Sequence, residues 1–214
     1  MAQRTVEDKL REEYFALLPE ARRIVEELET EVRHCLLPLS STLDGYERLV
    51  VTARVKDCDS ALDKLRRQQE GAIFDSDRDD PYTLTALNDL AGVRVLAFPR
   101  SRLIGADEVL HKRFSSWTSD PVLSDEENAE PLAFKYHGYC RGSARVRGEL
   151  QIVSILIGLF WQVEHSAIYK PSPQLKGVVE AISMQQRTRD VLRALKAFED
   201  EFERLVRRDP LAKP

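Results

Sequence analysis

The chain has 214 residues, a net charge of -4 and three cysteines. That length suits one domain of ordinary to large size with a substantial core, and the acidic balance excludes a generally basic nucleic-acid binder while leaving room for a local cationic cleft. Cys35, Cys58 and Cys140 are widely spaced and form no CxxC pair, which argues against a disulfide framework or a zinc site and for a reducing, cytoplasmic compartment. The first residues lack a signal peptide's apolar core, and no apolar run approaches the roughly 18 residues of a membrane span, so a soluble protein without a membrane partner is expected.

From Val6 to Leu37, strong helix formers carry Leu10, Tyr14, Leu17, Leu18, Ile24, Val25 and Leu28 at helical spacing. Pro19 is expected to start a second helix or to kink the first. The Glu/Arg pattern of Glu20 to Arg33 reads as a solvated helix face. Leu49 to Lys56 alternates as a strand, with Arg54 and Lys56 on one face and Val51, Ala53 and Val55 on the other. Asp57 then caps a helix to about Gln69, on which Ser60, Lys64 and Arg67 share a stripe while Ala61, Leu62 and Leu65 face the core.

Phe74 to Pro81 reads as a loop and Leu84 to Leu90 as a short helix. In the strand Gly92 to Phe98, Val93, Val95 and Ala97 take one face and Arg94 the other. A helix is expected over Gly105 to Trp117, and an acidic surface loop over Ser119 to Pro131. Leu132 to Cys140 and Val146 to Ser154 form a hairpin around a short glycine-containing turn, with Glu149 and Gln151 on one face. A helix from Ile155 to Lys170 is expected to bury Leu156, Leu159, Phe160 and Val163 before Pro171 and Pro173 end it. Lys176 to Val206 is mostly helical, with Val191, Leu195, Phe198, Phe202 and Leu205 as its apolar stripe. The expected class is α+β, a mixed sheet flanked by helices.

If the polar strand faces belong to one sheet, cations and carboxylates converge on one surface. Asp89 and Glu149 suit a hard divalent cation shared with a triphosphate, since Mg2+ takes one or two carboxylates plus phosphate oxygens. The plainer alternative is loop-capping or surface carboxylates. Arg54 and Arg94 can sandwich a purine by cation–π and planar stacking, with ordinary salt bridging as the alternative. Lys56, Lys64 and Arg67 can cradle phosphates, or the latter two can be the wet side of a helix.

The order of these words resembles a known family. Arg54-Val55-Lys56, then Ser60 and Lys64, then Asp89-Leu90-Ala91-Gly92-Val93-Arg94, then Glu149-Leu150-Gln151-Ile152, then Glu164-His165 and Tyr169-Lys170 are similar to the synthetase domain of the RelA/SpoT alarmone family, over about Leu49 to Pro171. The resemblance implies a nucleotidyltransferase-like synthetase fold of the polymerase-beta kind. It also implies Mg2+-dependent transfer of the beta,gamma-pyrophosphate of ATP to the 3′-hydroxyl of GDP or GTP.

Position by position, Arg54 and Arg94 match the arginines that enclose adenine, and Lys56, Lys64 and Arg67 match the phosphate cradle, with Ser60 beside them. Asp89 matches the metal ligand, and Glu149 the glutamate near metal and acceptor hydroxyl. Glu164, His165 and Lys170 match the helix that closes the cleft; for His165 a structural hydrogen bond is the alternative. The family's guanine-stacking loop, Pro-Lys-x-Asn-Gly-Tyr-Arg-Ser-x-His, is replaced by Phe134-Lys135-Tyr136-His137-Gly138-Tyr139-Cys140. On an extended strand either Phe134 and Tyr136 or Tyr139 can line the cleft. Tyr136 is the favoured acceptor platform, with Lys135, His137 and Gln151 as acceptor contacts, and a core aromatic is the alternative for each ring.

The Arg-Thr that follows the family's glutamate word is Val153-Ser154 here. No hydrolase-type His-Asp context and no regulatory extension is found, so a small stand-alone synthetase is expected. Its organisation would be one domain over 1–214, with N-terminal helices at 1–45, the catalytic core at 46–171 and C-terminal helices at 174–208. Homo-oligomers are expected from the apolar end helices. Two other readings are a toxin-like relative acting on adenine nucleotides or the tRNA 3′ end, for which Arg141, Arg145 and Arg147 offer a short basic track, and a degenerate nucleotide-binding regulator.

Overall fold

A computed structural model describes residues 4–68, 82–123, 131–164 and 181–208. The elements run α1 (Val6–Ser40), β1 (Arg48–Val55), α2 (Cys58–Gln68), a 3-10 turn (Leu84–Ala86), β2 (Ala91–Phe98), α3 (Arg100–Arg113), β3 (Thr118–Ser119), β4 (Ala133–Tyr139), β5 (Arg147–Ser154), α4 (Ile155–Glu164) and α5 (Ala181–Arg208). The strands form one sheet in the order β1-β2-β5-β4-β3. Its central pair, β2 with β5, is parallel and the other pairs are antiparallel. The class is therefore the mixed α+β expected from the sequence.

α1 is one continuous helix with Pro19 inside it, not two helices. Pro19 is on the exposed side, where water can satisfy the carbonyl that loses its helical partner. Thr5 and Asp8 cap the helix reciprocally, each side chain bonded to the other's backbone amide. The inward stripe Leu10, Tyr14, Leu17, Ile24, Val25, Leu28, Val32 and Leu36 is buried, and each such side chain contributes about 1.5–3 kcal/mol.

The first half of that stripe packs on Ala61, Leu62 and Leu65 of α2 and on Leu84, Leu87 and Leu90. The second half meets α3 and the sheet residues Val93, Val95, Ala97, Leu150, Ile152 and Tyr136. Leu84, Leu87 and Leu90 recur every third residue and are all buried. Only Leu84–Ala86 is helical, a single 3-10 turn, where the sequence predicts a short helix. α3 begins earlier than predicted, straight after Pro99, and ends at buried Phe114.

β4 and β5 form the expected hairpin, and Gly142 in its turn has φ 77, a left-handed conformation that glycine adopts without penalty. Part of the predicted acidic loop is instead paired: Thr118 and Ser119 join β4, and Val122 bridges Ala133. Residues 124–130 and the predicted loop Phe74 to Pro81 lie outside the described residues.

α4 differs from its predicted face. Ile157 and Gly158 are buried, while Leu159 and Val163 are exposed. α4 is apolar nearly all round, so its periodicity marks no face. On α5, Val191, Phe198 and Leu205 of the predicted stripe are exposed, and Glu199 is buried.

Candidate active site

The face of the sheet turned away from α1 and α3 is divided. At one end Leu96 of β2 and Val153 of β5 are covered by α4, in a cluster with Leu132, Ala133 and Ile157. At the other end a cleft of about 760 Å3 opens, lined by Arg54, Lys56, Ser60, Lys64, Arg67, Asp89, Arg94, Glu149 and Gln151 among others. All the nucleotide-binding and carboxylate candidates of the first two strands, α2 and β5 therefore meet in one place. The register explains it: Arg54 faces Gly92 across β1 and β2, Arg94 faces Gln151 across β2 and β5, and Gly92 faces Glu149.

α2 is delivered to the rim by its cap. Asp57 accepts a bond from the Ser60 amide at 2.8 Å, as its capping role predicts. Lys64 then reaches back toward the sheet. Lys56 and Lys64 both contact Asp89 Oδ2, each with Nζ at 2.9 Å. Asp89 Oδ1 is buried and without a hydrogen-bond partner. Burial works to raise the Asp89 pKa, and the two ammonium groups outweigh it, holding the carboxyl below the ordinary aspartate range.

Arg94 donates from Nε to Gln151 Oε1 at 2.7 Å, which pins its guanidinium plane. Burial and the nearby Arg54 charge lower the Arg94 pKa, and Glu149 counters them. A half-buried guanidinium in this setting is suited to an anion or a π face.

The unpartnered Asp89 oxygen and the Glu149 carboxylate are hard donors in the same cleft, a set that fits Mg2+ sharing its remaining positions with phosphate oxygens. Among the described residues no group of three or more His, Cys, Asp or Glu can hold a metal on its own.

The acceptor candidates separate. Tyr136 is 1% exposed and packs with Leu28, Leu110 and Phe114 on the opposite side of the sheet, where its hydroxyl donates to Asp107. It is a core residue and not a cleft platform; the strand alternation that groups it with Phe134 turns both toward α1 and α3. Lys135 and His137 take the cleft side, paired across β4 and β5 with Gln151 and Glu149, but they lie beyond the cleft's lining. Gln151 lines the cleft and is committed to Arg94.

Tyr139 is on the side of Lys135 and His137, 47% exposed, with the Arg147 guanidinium 4.9 Å from its ring centroid. The strand ends beneath it are held by Trp117, which fills the space above the paired glycines Gly138 and Gly148. A Cβ at Gly138 would lie 2.6 Å from the indole, so only glycine admits the ring. Glu164 closes α4 and does not line the cleft. His165 and Lys170 lie outside the described residues.

Trp161 and Gln162, which the sequence pattern does not single out, also line the cleft. Their signal was only their place two turns after the Glu149 strand, in a helix with no clear polar face.

No family model matches the chain, and no curated protein matches it. Solved structures do. Small alarmone synthetase 1 from Bacillus subtilis bound to AMPCPP is 22% identical, with a TM-score of 0.58 over 90% of this chain and 96% of that one. The same synthetase bound to its product pppGpp is 20% identical, with a TM-score of 0.62 over 89% and 95%. A GTP pyrophosphokinase family protein from Streptococcus pneumoniae is 18% identical, with a TM-score of 0.62 over 91% and 94%. The chain thus shares the fold of these small alarmone synthetase and GTP pyrophosphokinase family structures along nearly its whole length.

Proposed function

We propose that the protein is a Mg2+-dependent pyrophosphokinase that moves the beta,gamma-pyrophosphate of ATP to the 3′-hydroxyl of GDP or GTP. The observation that carries this reading is the single cleft in which two arginines, a cationic cluster and two carboxylates converge on a synthetase fold.

In this reading Arg54 and Arg94 hold the adenine between planar cations. Lys56, Lys64 and Arg67 take the phosphates, and Glu149 accepts the proton of the attacking hydroxyl. The new bond forms between the acceptor 3′-oxygen and the beta-phosphorus. The bond from that phosphorus to the alpha,beta-bridging oxygen breaks, and AMP leaves with the oxygen. Mg2+, when bound at Asp89 and Glu149, supplies charge neutralisation across the phosphate oxygens. Lys56 and Lys64 neutralise Asp89; a triphosphate would compete for both ammonium groups and so free the carboxylate that would hold the metal.

Tyr139 replaces Tyr136 as the acceptor's ring platform, because it combines exposure with the cleft side of β4. A tRNA acceptor is less well supported: Arg145 is neutralised by Glu20 at 2.6 Å, and the Arg147 guanidinium is engaged by Asn88 at 2.7 Å, so neither is a free cation for a phosphate backbone.

The test is to incubate the purified protein with gamma-labelled ATP, Mg2+ and, separately, GDP, GTP, ADP, ATP or bulk tRNA. Label is expected on GDP or GTP. Label on tRNA or adenine nucleotides instead would replace the acceptor, and no transfer to any of them would reject the reading.

A further inference from the structure

We propose that Trp161 is the aromatic wall against which the purine of the donor nucleotide packs, a base contact supplied by α4 in addition to the Arg54 and Arg94 pair. The proposal rests on the nucleotide reading of the cleft given above. Among the described residues that line the cleft, Trp161 is the only aromatic one. The rings of β4 are elsewhere: Phe134 and Tyr136 pack on the opposite side of the sheet, and Tyr139 lies at the outer end of the strand.

The helix geometry puts Trp161 beside the arginines. α4 follows β5 directly and lies down on β2 and β5 at Gly158, where an added Cβ would come within 2.6 Å of Leu96 and 3.0 Å of Val153. Residues three apart share a helix face, so Trp161 follows Gly158 on the side turned to the sheet. Two residues before Leu96 and Val153 on the same strand faces are Arg94 and Gln151. The indole therefore stands where the apolar end of the sheet face gives way to the charged one.

Trp161 is also supported from behind. It is half-buried, packs on the cluster of Leu132, Ala133, Val153 and Ile157, and lines both the cleft and a second cavity of about 470 Å3 shared with Leu192 of α5. A large ring already packed on that cluster loses little freedom when a base contacts it. Arg94, pinned by Gln151, and Arg54 take the two ring faces, so the indole meets the purine's edge. A purine at Arg94 would bury apolar ring area against the indole, whereas inorganic triphosphate has no ring to place there.

The chain's two tryptophans make the test direct. Trp117 is on the other side of the sheet against Gly138 and Gly148, so Trp117→Phe leaves Trp161 as the sole indole reporter. Its emission is expected to change on titration with AMPCPP and Mg2+, and to stay constant with inorganic triphosphate and Mg2+. If Trp117→Phe does not fold, the parent-minus-Trp161→Phe difference emission is read in the same titrations.

In calorimetry Trp161→Leu, which keeps an apolar filler, should weaken AMPCPP roughly tenfold through the lost aromatic contact at the ring edge. Triphosphate binding should be unchanged, and Trp161→Phe should recover most of the AMPCPP affinity. Equal AMPCPP affinity in Trp161→Leu and parent, an equal loss for triphosphate, or emission that responds to GDP and not AMPCPP would overturn the assignment while leaving the cleft's nucleotide role intact. Absence of any AMPCPP binding to the parent would reject that nucleotide role and this contact together.

Discussion

On the α1 and α3 side of the sheet, Val93, Val95, Leu150, Ile152 and Tyr136 are buried among helix side chains. On the other side, the residues between them in the same strands are Arg94, Glu149, Gln151, Lys135 and His137. One strand thus serves packing and chemistry at once, because successive side chains point to opposite faces. The comparison also shows that the chemical type of a residue is a poor guide to its role in such a sheet. Tyr136 and Tyr139 are both tyrosines of β4, three positions apart, yet one is sealed in the core and the other stands beside Arg147 in solvent.

The largest effect separating the two faces is expected in turnover. Asp89→Asn and Glu149→Gln should each lower pyrophosphate transfer by about a thousandfold, the scale of losing a group that stabilises developing charge. Their melting should differ. Asp89→Asn also removes the counter-charge to Lys56 and Lys64 and should cost about 2 kcal/mol, less than a fully buried pair because Lys64 is part-exposed. Glu149→Gln should melt near the parent. Assays below the melting onset, with calorimetric melting curves beside them, distinguish the two; retained activity in either variant would move that carboxylate out of the chemistry.

Next in size is the tyrosine pair. Tyr136→Ala leaves a cavity in the core and should destabilise by about 3–5 kcal/mol in denaturant titration. Tyr139→Ala should stay within about 0.5 kcal/mol of the parent and instead raise the Michaelis constant for the guanosine acceptor, with that for ATP unchanged. The reverse pattern would exchange the two faces.

A smaller effect concerns the lysines on Asp89. If Lys64 competes with the metal for that carboxylate, Lys64→Ala should tighten nucleotide-free Mn2+ binding roughly tenfold, the worth of one nearby charge in a partly screened site, while weakening AMPCPP. Free Mn2+ can be followed by electron paramagnetic resonance. Unchanged or weaker Mn2+ binding would mean that Asp89 and the metal do not meet.

The smallest expected effect is a pH dependence that contrasts two carboxylates, part-buried Asp89 and buried Glu199. Asp89 faces Lys56 and Lys64, and its pKa is lowered, so its stabilisation is present above the ordinary aspartate range and is lost as pH falls through its folded value. Glu199 on α5 accepts from the Ser154 hydroxyl, with Arg100, Glu203 and Asp200 nearby, and burial raises its pKa. Stability linked to Glu199 is therefore present below 4.5, its ordinary value, and is lost as pH rises through its folded value. Relative to the parent, Glu199→Gln should gain a few degrees of melting temperature at neutral pH and little in acid. A constant difference across pH would show that Glu199 is not titrating in the fold.

Several elements were legible before the structure because they follow from local rules. Alternation in β1, β2 and β5 separated Arg54, Arg94, Glu149 and Gln151 from their apolar neighbours, and Asp57 marked the start of α2 through its side-chain acceptor. The stripe of α1 was readable from Leu10 to Leu28, whereas its continuity through Pro19 was not, since that depends on the proline's lying on the wet side. The shift of the acceptor ring to Tyr139 has a related cause. Period two places Phe134 and Tyr136 together and Tyr139 apart, but which group meets helices and which meets solvent is settled only when α1 and α3 dock.

By itself, the sequence determined the helices with one apolar side, the alternating strands and the words that gather cations and carboxylates, because each depends on neighbours a few positions away in the chain. Tertiary structure decided what depends on distant partners. It brought Lys56 and Lys64 onto one oxygen of Asp89, pinned Arg94 with Gln151 across 57 positions, selected the buried face of the mostly apolar α4 and set Trp161 in the cleft wall. The physical reason is the same in each case: a side chain's spacing is a local property of the backbone, whereas its charge balance and burial are summed over whatever the fold packs against it.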